Sequence, residues 1–167
     1  MDRMATTARP LWRRRAWLAR CTAGGMAALC GSVRATQTGA AAQVEVWKSP
    51  NCGCCGDWIR HLQASGFQVK VHDVPDTTPV RARLGVAARY GSCHSARVGT
   101  YAIEGHVPAR EIRRLMQERP DALGLAVPGM PVGSPGMDGP VYQGRTQPYD
   151  VMLLDRSGGA GVFARYR

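Results

Sequence analysis

The chain has no run of about 20 apolar residues, so nothing in it reads as a membrane-spanning helix. Its uncharged stretch from Cys21 to Val33 is too short for one. Acidic residues are scarce, 12 against 22 Lys and Arg, and the formal net charge of +10 invites a nucleic-acid reading. That reading weakens once the charge is located. Residues 1–42 hold seven Arg and one Asp, a net of +6, which leaves 15 basic and 11 acidic residues, only +4, for 43–167. With no nucleic-acid motif, this balance excludes nucleic acid as a partner.

Residues 1–42 have the order of an export signal: a basic start ending in Arg13-Arg14-Arg15, the uncharged stretch, then Ala40-Ala41-Ala42 as an A-x-A cleavage site. The run from Arg14 to Leu18, "RRAWL", is like a twin-arginine signal, although Arg20 at the edge of the apolar stretch departs from that pattern. The reading is therefore a signal over 1–42, removed on export, and one mature domain over 43–167 without membrane insertion. Cys21 and Cys30 leave with the signal. Cys52, Cys54, Cys55 and Cys93 remain, in an oxidising compartment where unprotected thiols tend to pair.

Alternation in "VEVWKS" predicts a strand, and Asn51 is a candidate helix cap. Cys55, Trp58, Ile59 and Leu62 fall on one helical stripe, which ends at Ser65-Gly66. "FQVKVHDV" predicts a second strand, and Pro79 to Leu84 a short helix. "SARVGTYAIEG" reads as a hairpin around Gly99-Thr100, followed by a helix with Pro108 at its first position and Val107, Ile112, Leu115 and Met116 as its apolar stripe. This βαβ then ββα order is that of a thioredoxin-like α/β fold with a mixed sheet. Residues 121–148 are a Gly- and Pro-rich loop in which Pro-Gly-Met occurs twice, ending at Met130 and Met137. Type II turns would put each Met at the same turn position. "YDVMLLD" and "GVFARYR" close the chain as a hairpin.

"SPNCGCCGDW" packs three thiols into four positions. A strand leading into cysteines at a helix start favours thiolate, because free backbone N–H groups and the helix dipole stabilise the charge. A dithiol oxidoreductase needs only Cys52 and Cys55, and Cys54 would invite wrong pairings. A soft metal wants several converging thiolates, and Cys93, ahead of the hairpin, is the fourth. Zn(II) also takes four thiolates but usually from two C-x₂₋₄-C pairs, a spacing these cysteines lack. Cu(I) tolerates the crowding better. Two structural disulfides are the plain alternative, although a bond inside residues 52–55 closes almost no loop and stabilises little.

His94, directly after Cys93, is a candidate ligand or proton carrier, and His106 could serve likewise. Met130 and Met137 are candidate thioether ligands, with loop packing as their ordinary explanation. His61 and His72 read as solvent-facing, and Arg110, Arg113, Arg114 and Arg119 as a solvated helix face. In an apo protein, Cys93 near the cluster is expected to pair with an upstream cysteine.

"WKSPNCGCCGDWIRHLQASGF", "SCHSA", "IEGHVPAREIRRLM" and "GLAVPGMPVGSPGM" together resemble the CopG-type copper-resistance family of periplasmic proteins, over about residues 44–167. Ser95 stands where that family often carries Thr. The resemblance implies a thioredoxin-like fold and copper bound through Cys52, Cys54, Cys55 and Cys93, with His94 in the family's C-H position. It implies a role in copper redox chemistry without fixing one reaction, and partners among copper ions and other periplasmic copper-handling or redox proteins.

Overall fold

A computed structural model describes residues 42–167. The element order is β1 (Gln43–Lys48), α1 (Gly53–Ala64), β2 (Gln68–Asp73), α2 (Thr78–Arg83), β3 (His94–Val98), β4 (Tyr101–Glu104), α3 (Ala109–Glu118), β5 (Gly124–Ala126), β6 (Tyr149–Leu154) and β7 (Ala160–Tyr166). These strands form one seven-stranded mixed sheet in the order β2-β1-β3-β4-β5-β6-β7. β1 runs parallel to β2 and antiparallel to β3, and β4 runs parallel to β5. The other neighbours are antiparallel. The fold is therefore mixed α/β, as the strand–helix–strand and hairpin–helix patterns predict. The export signal, with Cys21 and Cys30, lies outside the described residues except for Ala42.

Val44 and Val46 of β1 are fully buried, because alternation directs both to one face of the sheet. The stripe Cys55, Trp58, Ile59 and Leu62 is the buried side of α1, and Ile112 and Leu115 are the buried side of α3. With Ala96, Ile103, Leu125 and Val151 they make the main core. Trp58 fixes α1 to the segment before α3 by donating from Nε1 to the Val107 carbonyl at 2.9 Å.

Several local expectations are corrected. Asn51 is not the cap of α1: Cys52 holds that position, with no side-chain cap bond. Pro108 precedes α3 instead of opening it. The Gly- and Pro-rich segment contains a strand, β5, which three residues of pattern could not reveal. The arginines of α3 are not simply solvated. Arg110 lies over the Tyr166 ring, Arg113 over Phe67 and Arg114 over Phe163, so their planar heads cover aromatic faces at the edge of the core. His72 stacks on Trp47 and His61 accepts the Ala109 N–H at 3.0 Å, so neither simply faces solvent. Among the described residues no helix is long and apolar enough to cross a membrane.

Candidate metal centre

The end of β1 and the first turn of α1 deliver Cys52, Cys54 and Cys55 to one place. Cys93 arrives on the segment just before β3, which pairs antiparallel with β1 and so starts beside the end of β1, Lys48 facing His94. The four sulfurs lie within 4.8 Å of one another. Cys93 Sγ is 3.5 Å from Cys55 Sγ and 3.8 Å from Cys54 Sγ, and Cys54 Sγ is 3.5 Å from Cys52 Sγ. A pair 38 residues apart in sequence thus meets through sheet register.

Two of these sulfurs are joined. Cys52 and Cys55 form a disulfide with a Cα separation of 5.4 Å, and Cys54 and Cys93 are free thiols. This corrects the expectation that Cys93 would pair with an upstream cysteine. The four-residue C-x-x-C turn presents Cys55 to Cys52, whereas Cys93 has its own partners. Burial and, second, the neighbouring Cys54 push the Cys93 thiol up to about 12, so it keeps its proton without metal.

Cys93 Sγ sits between two imidazoles, 3.3 Å from His94 Nδ1 and 3.1 Å from His106 Nε2. These three residues form a second group of potential ligands that shares the Cys93 sulfur. Both histidines are fully buried. Burial holds the His94 ring far below the ordinary imidazole range, near 3, with His106 adding to the shift. Burial also lowers His106, opposed by its bond to Pro135. The His94 ring leans on Trp58, 4.3 Å between centroids, and among the described residues its buried Nε2 makes no hydrogen bond of good geometry.

Behind Cys93 stands a network that residue patterns do not disclose. Glu104, at the end of β4, is fully buried. Its Oε1 accepts from Arg81 Nε at 2.7 Å and from the Ser92 N–H at 2.8 Å, and its Oε2 accepts from Ser95 Oγ at 2.6 Å. Arg81 also donates to the Ser92 carbonyl at 2.7 Å. Both backbone groups of Ser92 are held, which fixes the residue preceding Cys93. Burial pushes the Glu104 carboxyl up, while Ser95 and Arg81 pull it down. A charged residue in a strand sequence carries no mark of this role; only the approach of α2 to the end of β4 reveals it.

The two Pro-Gly-Met turns both put glycine at positive φ, 70° at Gly129 and 85° at Gly136, as type II turns require. Their methionines differ. Met130 is half exposed, and Met137 is buried with its sulfur against Tyr142 Oη at 3.2 Å. The Met137 sulfur is thus taken up by a hydroxyl donor. The second turn nevertheless builds the site. Pro135 gives its carbonyl to His106 Nδ1 at 2.8 Å. A Cβ on Gly136 would stand 2.6 Å from the Cys54 carbonyl oxygen, so only glycine lets this turn lie on α1.

Two solved structures match most of the described chain. Both are described as copper resistance protein CopG, in forms 2 and 1, and both are 48% identical to this chain. The first covers 76% of this chain and 99% of its own, with a TM-score of 0.71; the second covers 75% and 98%, with a TM-score of 0.70. The chain belongs to the CopG copper-resistance family. The motif resemblance is thus borne out. A family model described as "Protein of unknown function, DUF411" matches residues 90–137, which in this member run from the approach to Cys93 through His106 to the second Pro-Gly-Met turn. No curated protein matches. For a CopG-family chain the part-buried four-sulfur cluster, beside two buried histidines, is the natural place for a metal.

Proposed function

We propose that the protein is a periplasmic copper-binding protein of copper resistance, holding Cu(I) on the thiolates of Cys52, Cys54, Cys55 and Cys93. The observation that carries this reading is the convergence of four sulfurs, one of them brought from 38 residues away. Thiolates are soft donors and suit Cu(I) above harder cations. Zinc accepts the same donors, and the crowding of Cys54 against Cys55 speaks for copper. The Cys52–Cys55 disulfide must first take up two electrons and two protons from an external thiol reductant to release two thiols, so the full donor set exists only in the reduced protein. Copper would bring redox chemistry to such a site, cycling between Cu(I) and Cu(II). His94 and the thioethers of Met130 and Met137 are the lesser candidate ligands.

The strand order β2-β1-β3-β4, with α1 after β1 and α3 after β4, supports a thioredoxin-like reading of residues 43–104 and the helix that follows. The same order supports a second function. A disulfide between Cys52 and Cys55, at the start of a helix, is the arrangement of a thiol–disulfide oxidoreductase, with Cys52 as nucleophile and Cys55 as resolving thiol. The export signal over residues 1–42, removed near Ala42, puts either activity in the periplasm, with copper ions and other copper-handling or redox proteins as partners.

Anaerobic Cu(I) titration of the reduced protein, followed by native mass spectrometry, tests the copper reading. Copper ions retained by the parent and lost from Cys54→Ser support it. Unchanged stoichiometry in Cys54→Ser, with disulfide reductase activity intact, favours the oxidoreductase.

A further inference from the structure

The last turn of α1, the start of α3 and the open end of the β6–β7 hairpin border a pocket of 320 Å³ that contains none of the four cysteines and neither buried histidine. Its polar lining comes from His61, Ser65, Arg110, Arg113, Tyr149 and Tyr166, and no carboxylate is among the lining residues. Two neighbouring carboxylates are already engaged. Glu111 accepts from Arg110 Nε at 2.6 Å and from the Tyr166 hydroxyl at 2.9 Å, and Asp138 accepts the Gly136 N–H at 3.0 Å.

The groups left over are donors. His61 Nε2 accepts the Ala109 N–H at 3.0 Å, and burial lowers the ring against the pull of Asp138, so the imidazole is neutral with its proton on Nδ1. That N–H has no acceptor among the described residues. The Tyr149 hydroxyl makes no hydrogen bond among the described residues, and burial, then the neighbouring Tyr166, keep it protonated. Arg113 lies over Phe67, 5.4 Å from the ring centroid, and pairs with no carboxylate among the described residues. A guanidinium stacked in this way keeps its edge of N–H groups open. Arg110 differs, being paired with Glu111. The pocket therefore holds one uncompensated positive charge, with an imidazole N–H and a phenol O–H among its walls.

Its size limits what answers them. At about 30 Å³ per water, 320 Å³ takes about ten waters, far more than one bare ion displaces. Tyr149 and Tyr166 stack 4.6 Å apart with 7° between their planes, which adds a flat apolar wall. We propose that this pocket binds a small organic monocarboxylate with a flat, apolar body. The carboxylate accepts from Arg113, from His61 Nδ1–H and from the Tyr149 hydroxyl, and the body lies against the tyrosine pair. A planar carboxylate fits the guanidinium fork with two parallel hydrogen bonds, and its single charge matches the one that Arg113 leaves unpaired.

Benzoate is the probe, added to the full-length protein and followed by proton–nitrogen NMR. It should shift the His61 Nδ1 and Arg113 Nε signals together and saturate with a Kd of about 1 mM or tighter. Acetate, which lacks the body, and benzamide, which lacks the charge, should each bind at least about tenfold more weakly. Arg113→Gln should weaken benzoate binding by about tenfold or more, because a charge-assisted pair of hydrogen bonds is lost. Tyr149→Phe keeps the ring stack and removes only the hydroxyl, for a loss of about three- to tenfold. Arg156→Gln removes the same charge from the turn at the other end of the hairpin and should leave the affinity unchanged. Three results would each overturn the site: no saturable shift at His61 and Arg113, acetate or benzamide binding as tightly as benzoate, or Arg113→Gln binding benzoate like the parent. None of these measurements involves copper, so the site stands or falls apart from the copper reading.

Discussion

Single residues at the cluster differ in what they should do when changed. Cys93 joins the cluster as a thiol held up near 12, so a metal must displace its proton. Cys93→Ser should cost far more Cu(I) affinity than His94→Gln, because Cu(I) prefers thiolate to any hard oxygen. A chelator competition series measures this, and equal affinities would contradict the four-sulfur site. His94 sets a pH dependence. Its unfolded imidazole titrates near 6.5 and its buried one near 3, so the unfolded chain binds the proton first. The stability gained by keeping it neutral is complete above pH 6.5 and is lost as pH falls from there toward 3. His106 and the half-buried His61 are lowered too and act in the same direction. Each proton excluded from the folded state is worth about 1.4 kcal/mol per pH unit. Urea unfolding at pH 5 should give clearly lower stability than at pH 7.5, with a flatter dependence in His94→Gln.

At the scale of elements, the site depends on three pieces that hold one another. The start of α1 carries three sulfurs, the segment before β3 carries the fourth, and the second Pro-Gly-Met turn lies on α1 and holds His106. Gly136 is where the turn and α1 touch. Gly136→Ala would force a left-handed φ of 85° on a residue with a Cβ and drive that Cβ into the Cys54 carbonyl. The conformational penalty alone is about 1–2 kcal/mol, and the clash adds to it. A fall in the urea midpoint together with weaker copper binding is expected; a neutral effect would mean the turn does not rest on α1. Glu104 is the corresponding point behind Cys93. Glu104→Gln leaves Arg81, mostly buried, without its carboxylate, and breaking a buried ion pair from one side costs about 3–5 kcal/mol. Thermal unfolding should register that loss.

For the whole molecule, the Cys52–Cys55 bond is a redox handle more than a staple. It closes a loop of sequence separation 3, for which chain-entropy arguments give about 2 kcal/mol at most. The core of Val44, Trp58, Leu62, Ile103, Ile112 and Leu125 does not depend on it. Reduction by a thiol reagent should therefore leave the fold intact, with near-unchanged circular dichroism. A protein that unfolds on reduction and does not refold when Cu(I) is added would refute the copper reading. Export is tested at the same scale. N-terminal sequencing of the cell-envelope fraction should find a chain beginning near Gln43, and full-length protein recovered only from cytosol would count against the signal.

Much of this was legible in the residues. Alternation and the stripe of Cys55, Trp58, Ile59 and Leu62 determined β1, α1 and the inward face of the helix, because burial must follow period 2 or 3.6 whatever the partner. The crowding of Cys52, Cys54 and Cys55 at a helix start determined that the site would be one of thiol or metal chemistry. Tertiary structure decided what pattern does not encode. Antiparallel pairing of β3 with β1 decided that Cys93 joins the cluster. The approach of α2 to β4 decided that Glu104 and Arg81 would brace the residue before it. The seat of Pro135 against His106 decided which nitrogen carries the proton. Each is a contact between segments distant in sequence, set by sheet register and packing, and no local periodicity carries information about such a contact.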